Sequence, residues 1–248
     1  MMRRQILLLI LFSSQLAGIA KNASATDLGI WSWSQANFAT PEARDKMLSF
    51  CVAEGISHID QHVSITRTEE GYRLRNADAL KQLLIASDAE DISINALRGE
   101  RNMFFQENHD RAYAQLEAIL AFNRDLPEGS RLAGIKYDVE PYLTDEWRAG
   151  EESREKIIRD YLSFLTQAKK LITEAGSDLD LCVDIPFWWD KPEFASSLNG
   201  EEKLLIHHII DLTDWIGIMS YRREATSGEP RPCLCTTGGD SCFQPGPS

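Results

Sequence analysis

Gly134-Ile135-Lys136-Tyr137-Asp138-Val139-Glu140-Pro141-Tyr142 is an apolar run that carries a lysine and two carboxylates at alternate positions. Side chains alternate along a strand, so Lys136, Asp138 and Glu140 share one face while Ile135, Tyr137 and Val139 take the other. The stretch therefore reads as a buried strand, residues 132–142, that ends in two acids. Folding rarely needs such a pair. Acid/base chemistry does, because one carboxylate can hold the other's proton at neutral pH.

The same period recurs outward from this run. Strand patterns fall at residues 28–33, 57–65, 92–98, 181–188 and 215–222. Helix patterns lie between them. Thr40-Pro41 supplies an N-cap and a first-turn proline, and Gly55 stops that helix. Residues 77–89, 109–122, 151–175 and 203–213 carry leucines and isoleucines at helical spacing. Strands alternating with helices mean a parallel α/β sheet with right-handed crossovers.

A doubly wound sheet and a (β/α)8 barrel of the TIM type both satisfy that order. Polar residues gather at the C-terminal ends of the strands: Asp60 and His62, Arg98, Asp138 and Glu140, Asp184, Tyr221. Barrel active sites are assembled there, which favours the barrel. No Gly-x-Gly-x-x-Gly follows the first strand, so the dinucleotide-binding signature is missing.

The pattern supplies about six strand–helix units where a barrel has eight. Two more would take roughly 60–80 residues, on a typical barrel of about 250. Only 26 residues follow Arg222, and they hold Cys233, Cys235 and Cys242 among prolines and glycines with little apolar periodicity. The reading is a partial barrel over residues 26–222 and an irregular tail, out of frame or disordered, over residues 223–248. A genuine cysteine-containing tail on a smaller α/β fold is the alternative. Cys51 and Cys182 read as small buried apolar residues.

Residues 1–25 read as a secretory signal peptide: a basic start, an apolar run from Ile6 to Phe12, and Ala23-Ser24-Ala25 as cleavage site. The expected location is secreted or periplasmic. Its removal lowers the basic count from 26 to 23 against 38 acidic residues. So acidic a chain disfavours nucleic acid and, after cleavage, membrane surfaces as partners.

Three groups of side chains could carry chemistry. The first is the acid pair, arranged as glycoside hydrolysis requires: one group protonates the leaving oxygen and another stabilises the cationic centre. Lys136 could instead merely neutralise Asp138. The second is His58-Ile59-Asp60-Gln61-His62, which places His58, Asp60 and His62 on one face. These could hold a metal, making a metal-dependent hydrolase. The preferred reading has no metal and no cofactor, with Asp60 and His62 touching sugar hydroxyls and His58 in the core. The third is aromatic: Trp33, Trp188 and Trp189 at strand ends, with Tyr142, offer faces on which sugars stack. Arg98 and Asp184 are further substrate contacts by position.

The 134–142 stretch resembles the fourth strand of chitinase-like, family-18 glycoside hydrolases, whose signature is D-x-x-D-x-D-x-E. Ile218-Met219-Ser220-Tyr221 resembles the M-x-Y of that family's sixth strand. The resemblance implies a TIM barrel acting on a polysaccharide or oligosaccharide. It implies Glu140 as general acid, Asp138 as the residue orienting a substrate acetamido group, and Tyr221 as a donor to the acyl oxygen. Ala133 and Lys136 stand where the signature has its first two aspartates, and Pro141-Tyr142 reverses a common Tyr-Pro order. A non-catalytic carbohydrate-binding barrel, or an inactive fragment, is the competing reading.

Overall fold

The computed structural model describes residues 28–220. The proposed signal peptide, Tyr221 and the cysteine-bearing tail lie outside the described residues. Six strands form one parallel sheet in sequence order: β1 (Leu28–Ser32), β2 (Ile56–His62), β3 (Ser93–Arg98), β4 (Gly134–Tyr137), β5 (Asp180–Pro186) and β6 (Trp215–Met219). Each strand pairs with its sequence neighbours, as in a barrel, with no reversal of order as in a doubly wound sheet. The sheet curls into an incomplete (β/α)8 barrel, with six of eight strands among the described residues.

Five helices follow the strands: α1 (Pro41–Glu54), α2 (Ala77–Asp88), α3 (His109–Arg124), α4 (Glu151–Glu174) and α5 (Leu205–Leu212). Thr40 Oγ1 accepts from Ala43 N at 3.2 Å, and Gly55 ends α1 at φ +69°, as the sequence predicts. The helix-facing strand positions form the apolar core: Ile59, Ile94, Ala96, Ile135, Tyr137, Val183 and Ile185 are at most 1% exposed. Each of the larger aliphatic side chains so buried stabilises the sheet–helix contact by about 1.5–3 kcal/mol. No helix among the described residues is long and apolar enough to cross a membrane.

The expected elements differ from the observed ones where turn chemistry intervenes. The strand expected over residues 132–142 ends at Tyr137, because Pro141 opens a 3-10 turn (Pro141–Leu143) and has no N–H for a ladder. Asp138 and Glu140 thus stand on the loop just past β4. The fifth strand likewise ends at Pro186, so Trp188 and Trp189 lie beyond it. The helix expected over residues 203–213 begins two residues later. Residues before it form a hairpin, Ala195–Leu198 with Glu201–Leu204. Its tip is Asn199-Gly200, both at positive φ (53° and 83°), the tight-turn dipeptide of short hairpins. A second hairpin, Ile65–Thr68 with Gly71–Leu74, replaces the end of the expected second strand.

Candidate active site

Inside the sheet a polar layer crosses five strands. Lys136 on β4 sits between two carboxylates, with Nζ 2.6 Å from Asp60 Oδ2 and 3.0 Å from Asp184 Oδ1. Its ammonium also lies over the rings of Trp31 (4.9 Å) and Trp215 (4.6 Å). His58 Nε2 is 2.8 Å from Asp60 Oδ1, and Asn95 Nδ2 donates to the same oxygen at 3.0 Å. Trp31 Nε1 donates to Asp184 Oδ2 at 3.1 Å. Lys136 and Asp60 are 3% exposed and Asp184 is 1% exposed. One lysine serving two buried aspartates leaves this layer short of positive charge.

The two aspartates answer that shortage differently. Burial alone would raise Asp60; the hydrogen bond from His58 and the Lys136 charge outweigh it and hold its carboxyl below the usual range. Asp184 has fewer donors. Burial pushes its pKa up against the opposing Lys136 charge, and the Asp60 charge adds to the rise. Burial opposes the charge on Lys136, yet the paired Asp184 and Asp60 carry its pKa above the ordinary lysine value.

Gly217 on β6 makes room for this arrangement. A Cβ there would fall 2.1 Å from Asp184 Oδ1, closer than any real contact. Gly217→Ala should therefore displace Asp184 from Lys136 and destabilise the protein by about 1–3 kcal/mol, the usual cost of overpacking. Denaturant unfolding measures it; an unchanged midpoint would mean that Asp184 relocates freely.

The acid pair lies one step further along, at the C-terminal face. Asp138 N donates to Arg98 O at 2.8 Å, which ties the loop to the end of β3. Tyr142 Oη donates to Glu140 Oε2, so the Pro141 turn itself orients the glutamate. Asp138 Oδ1 is buried without a hydrogen-bond partner among the described residues. Burial, then the charges of Asp184 and Glu140, push the Asp138 carboxyl up to about 7; Lys136 opposes the rise.

Asp138 and Glu140 line one cleft of about 340 Å³ with Gly99, Arg101, Leu143 and Arg148. A neighbouring cleft of about 260 Å³ includes Trp33, His62, Arg75 and Glu100. The two meet at Gly99, where a Cβ would come 2.8 Å from Asp138 O and 2.9 Å from the Trp33 ring. The close approach of these two walls is possible only without a side chain there.

Several expected contacts fall elsewhere. Lys136 pairs with Asp60 and Asp184 rather than neutralising Asp138. Asp60 and Asp184 are engaged in this buried network and line neither of these two clefts. Arg98 faces the helix layer, where it donates to Val63 O (2.6 Å) and Gln115 Oε1 (2.9 Å) and pairs with Glu100, although its edge touches the smaller cleft. Trp189 is 0% exposed, packed among Tyr142, Trp147, Tyr161 and Trp188, so it is core. Trp188 is half-buried against Tyr142, with centroids 5.2 Å apart.

Trp33 is 48% exposed and 5.8 Å from the His62 ring, so those two do share a cleft. Burial lowers the His62 pKa, with help from the Arg98 charge. His58, Asp60 and His62 do not converge: among the described residues no group of three or more His, Cys, Asp or Glu side chains is arranged to hold a metal ion. Sequence reasoning missed Asn95, Arg101, Arg148 and the Trp215 ring. The last was legible, since period two from Trp215 through Gly217 puts both on the inner face.

No protein-family model matches the sequence, and no curated protein matches it. Solved structures do. A chitinase from Bacteroides thetaiotaomicron is similar at 16% identity and TM-score 0.50, over 84% of this chain and 58% of that one. The Bacillus cereus spore cortex-lytic enzyme SleL is similar at 11% identity and TM-score 0.50, over 83% and 43%. A chitinase from Chromobacterium violaceum ATCC 12472 gives 17% identity and TM-score 0.45, over 84% and 60%. The chain thus spans 60% or less of the length of these proteins. The likeness is one of fold. The architecture is that of the barrel on which chitinase-type glycoside hydrolases are built, present here in part.

Proposed function

We propose that the protein is a glycoside hydrolase acting on a polysaccharide, with Glu140 as general acid and Asp138 as its partner. The observation that carries this reading is the placement of both carboxylates in one cleft at the C-terminal end of β4, with Asp138 pushed up to about 7. Barrel chemistry is done at that face. The Glu140 charge is among the causes of the Asp138 rise, so the proton the chemistry needs is held on Asp138, in the same cleft as Glu140, into the neutral range. Glu140, oriented by the Tyr142 hydroxyl, delivers a proton to the glycosidic oxygen. Asp138, once ionised, faces the positive charge that develops on the sugar or its acetamido group. Trp33 and His62 supply a ring surface for a further sugar unit across Gly99.

The proton requirement fixes a pH dependence. As pH rises through about 7 Asp138 loses its proton, so kcat/KM should fall on the alkaline side with an apparent pKa near that value. Asp138→Asn removes the group that titrates there, so the alkaline limb should no longer fall near 7. Rate profiles between pH 5 and pH 9 on a soluble chitin oligosaccharide, buffered at constant ionic strength, make the test. A profile that stays flat through pH 7 counts against Asp138 as the holder of that proton.

A further inference from the structure

The cleft that holds the acid pair also holds two arginines, in a chain whose net charge is −12. Arg101 follows β3, and its Nη2 donates to Leu143 O, which anchors the guanidinium at the cleft. Arg148 ends the short helix Asp145–Arg148, and its Nη1 lies 3.7 Å from Asp145 Oδ1 in an exposed pair. Such a pair holds its arginine only weakly.

Neither guanidinium is ion-paired with Asp138 or Glu140 among the described residues. Neither is among the largest causes of the Asp138 shift. Their charge is therefore not spent on the acid pair. Neutral sugar hydroxyls do not call for two guanidinium forks, whereas a planar carboxylate matches them in shape and charge. An anionic glycan approaching so acidic a protein meets net repulsion, which a local pair of arginines offsets.

Resting on the glycosidase reading, we propose that this cleft takes a sugar bearing a carboxylate, held by Arg101 and Arg148 beside the bond that Glu140 protonates. The carboxylate is either part of the sugar ring, as in a uronic acid, or carried on an ether side chain, as in the lactyl group of a peptide-free murein strand.

The test compares each glycan with its own neutralised form. Hyaluronan and peptide-free murein strands are offered to the full-length protein before and after conversion of their carboxylates to amides. The expected result is a kcat/KM about five- to ten-fold higher on at least one carboxylate form than on its amide, the factor that two exposed ion pairs supply. In the variant R101Q/R148Q that ratio should fall to about one. Which glycan shows the preference identifies the source of the carboxylate. Equal rates on both forms, or a preference that survives the double variant, overturn the proposal. A soluble chitin oligosaccharide cleaved while neither of these glycans is cleaved refutes the carboxylate proposal alone. If none of the three is cleaved the hydrolase reading fails, and calorimetric binding of hyaluronan and murein then decides on the arginines. Carboxylate-dependent, salt-sensitive binding that is lost in R101Q/R148Q upholds the site, and its absence refutes it.

Discussion

Glu140→Gln should lower kcat on a cleavable glycan by about 10²–10⁴-fold, the contribution typical of a positioned general acid, while binding of the same glycan persists. The amide keeps the shape of the carboxyl and still accepts the Tyr142 hydroxyl bond, so the Pro141 turn has no reason to move. What the amide cannot do is hand a proton to the leaving oxygen. The loss should therefore appear in kcat with KM nearly unchanged, the pattern of an interaction made only in the transition state. The variant's stability should stay within about 0.5 kcal/mol of wild type, because among the described residues Glu140 has no buried ion pair to break. Steady-state kinetics and calorimetric titration together separate the alternatives. Full activity in E140Q removes Glu140 from the chemistry. A wild type that binds glycans but never cleaves them leaves a carbohydrate-binding barrel.

The barrel was legible because its signals are local and periodic. Ile59, Ile135, Val183 and their like alternate with polar neighbours, and one face of each strand must then pack on helices. The sequence reading placed Asp60 and Asp184 at strand ends as substrate contacts, and Lys136 on one face with Asp138. It could not say which aspartate the lysine would choose. Asp138 is two residues from Lys136, but Pro141 ends the strand early and lifts Asp138 onto the rim, while the curl of the sheet carries Asp60 and Asp184 to the ammonium from 76 and 48 positions away in sequence. Long-range pairing of that kind leaves no trace in spacing. The tryptophans show the same limit. Trp33 and Trp189 both follow strand ends, yet one lines a cleft and the other is sealed beneath Trp147 and Tyr161. The short helix that covers Trp189 begins at Thr144, whose side chain caps it by accepting from Trp147 N, a signal overlooked beside the long helix that follows.

Lys136→Met should cost about 3–5 kcal/mol of stability, because it leaves two buried aspartates without their cation. That is a large share of the roughly 5–15 kcal/mol that holds a domain folded. The damage is not shared equally. Among the described residues Asp60 keeps His58 and Asn95 as partners, whereas Asp184 keeps only the Trp31 indole. Asp184 should therefore take up a proton in the variant, and adding Asp184→Asn should restore part of the loss, making the two substitutions non-additive. The pH dependence has a definite sign. Lys136 has a raised pKa in the folded protein, so the stability it contributes is present below the ordinary lysine range and is lost only as pH climbs above it. Asp60, with its pKa lowered, contributes stability above the ordinary carboxylate range that is lost as pH falls through its folded value. Asp138 and Asp184 act oppositely. Their raised values favour the folded state at low pH, and that advantage shrinks as pH rises, for Asp138 between 3.8 and about 7. Lys136 is the charge that restrains both, so its removal raises both further. The deficit of K136M relative to wild type should accordingly widen between pH 4.5 and pH 7.5, as read from paired denaturant unfolding curves. A deficit that stays constant across that range would mean that Lys136 acts through the buried volume its side chain fills, and not through its charge.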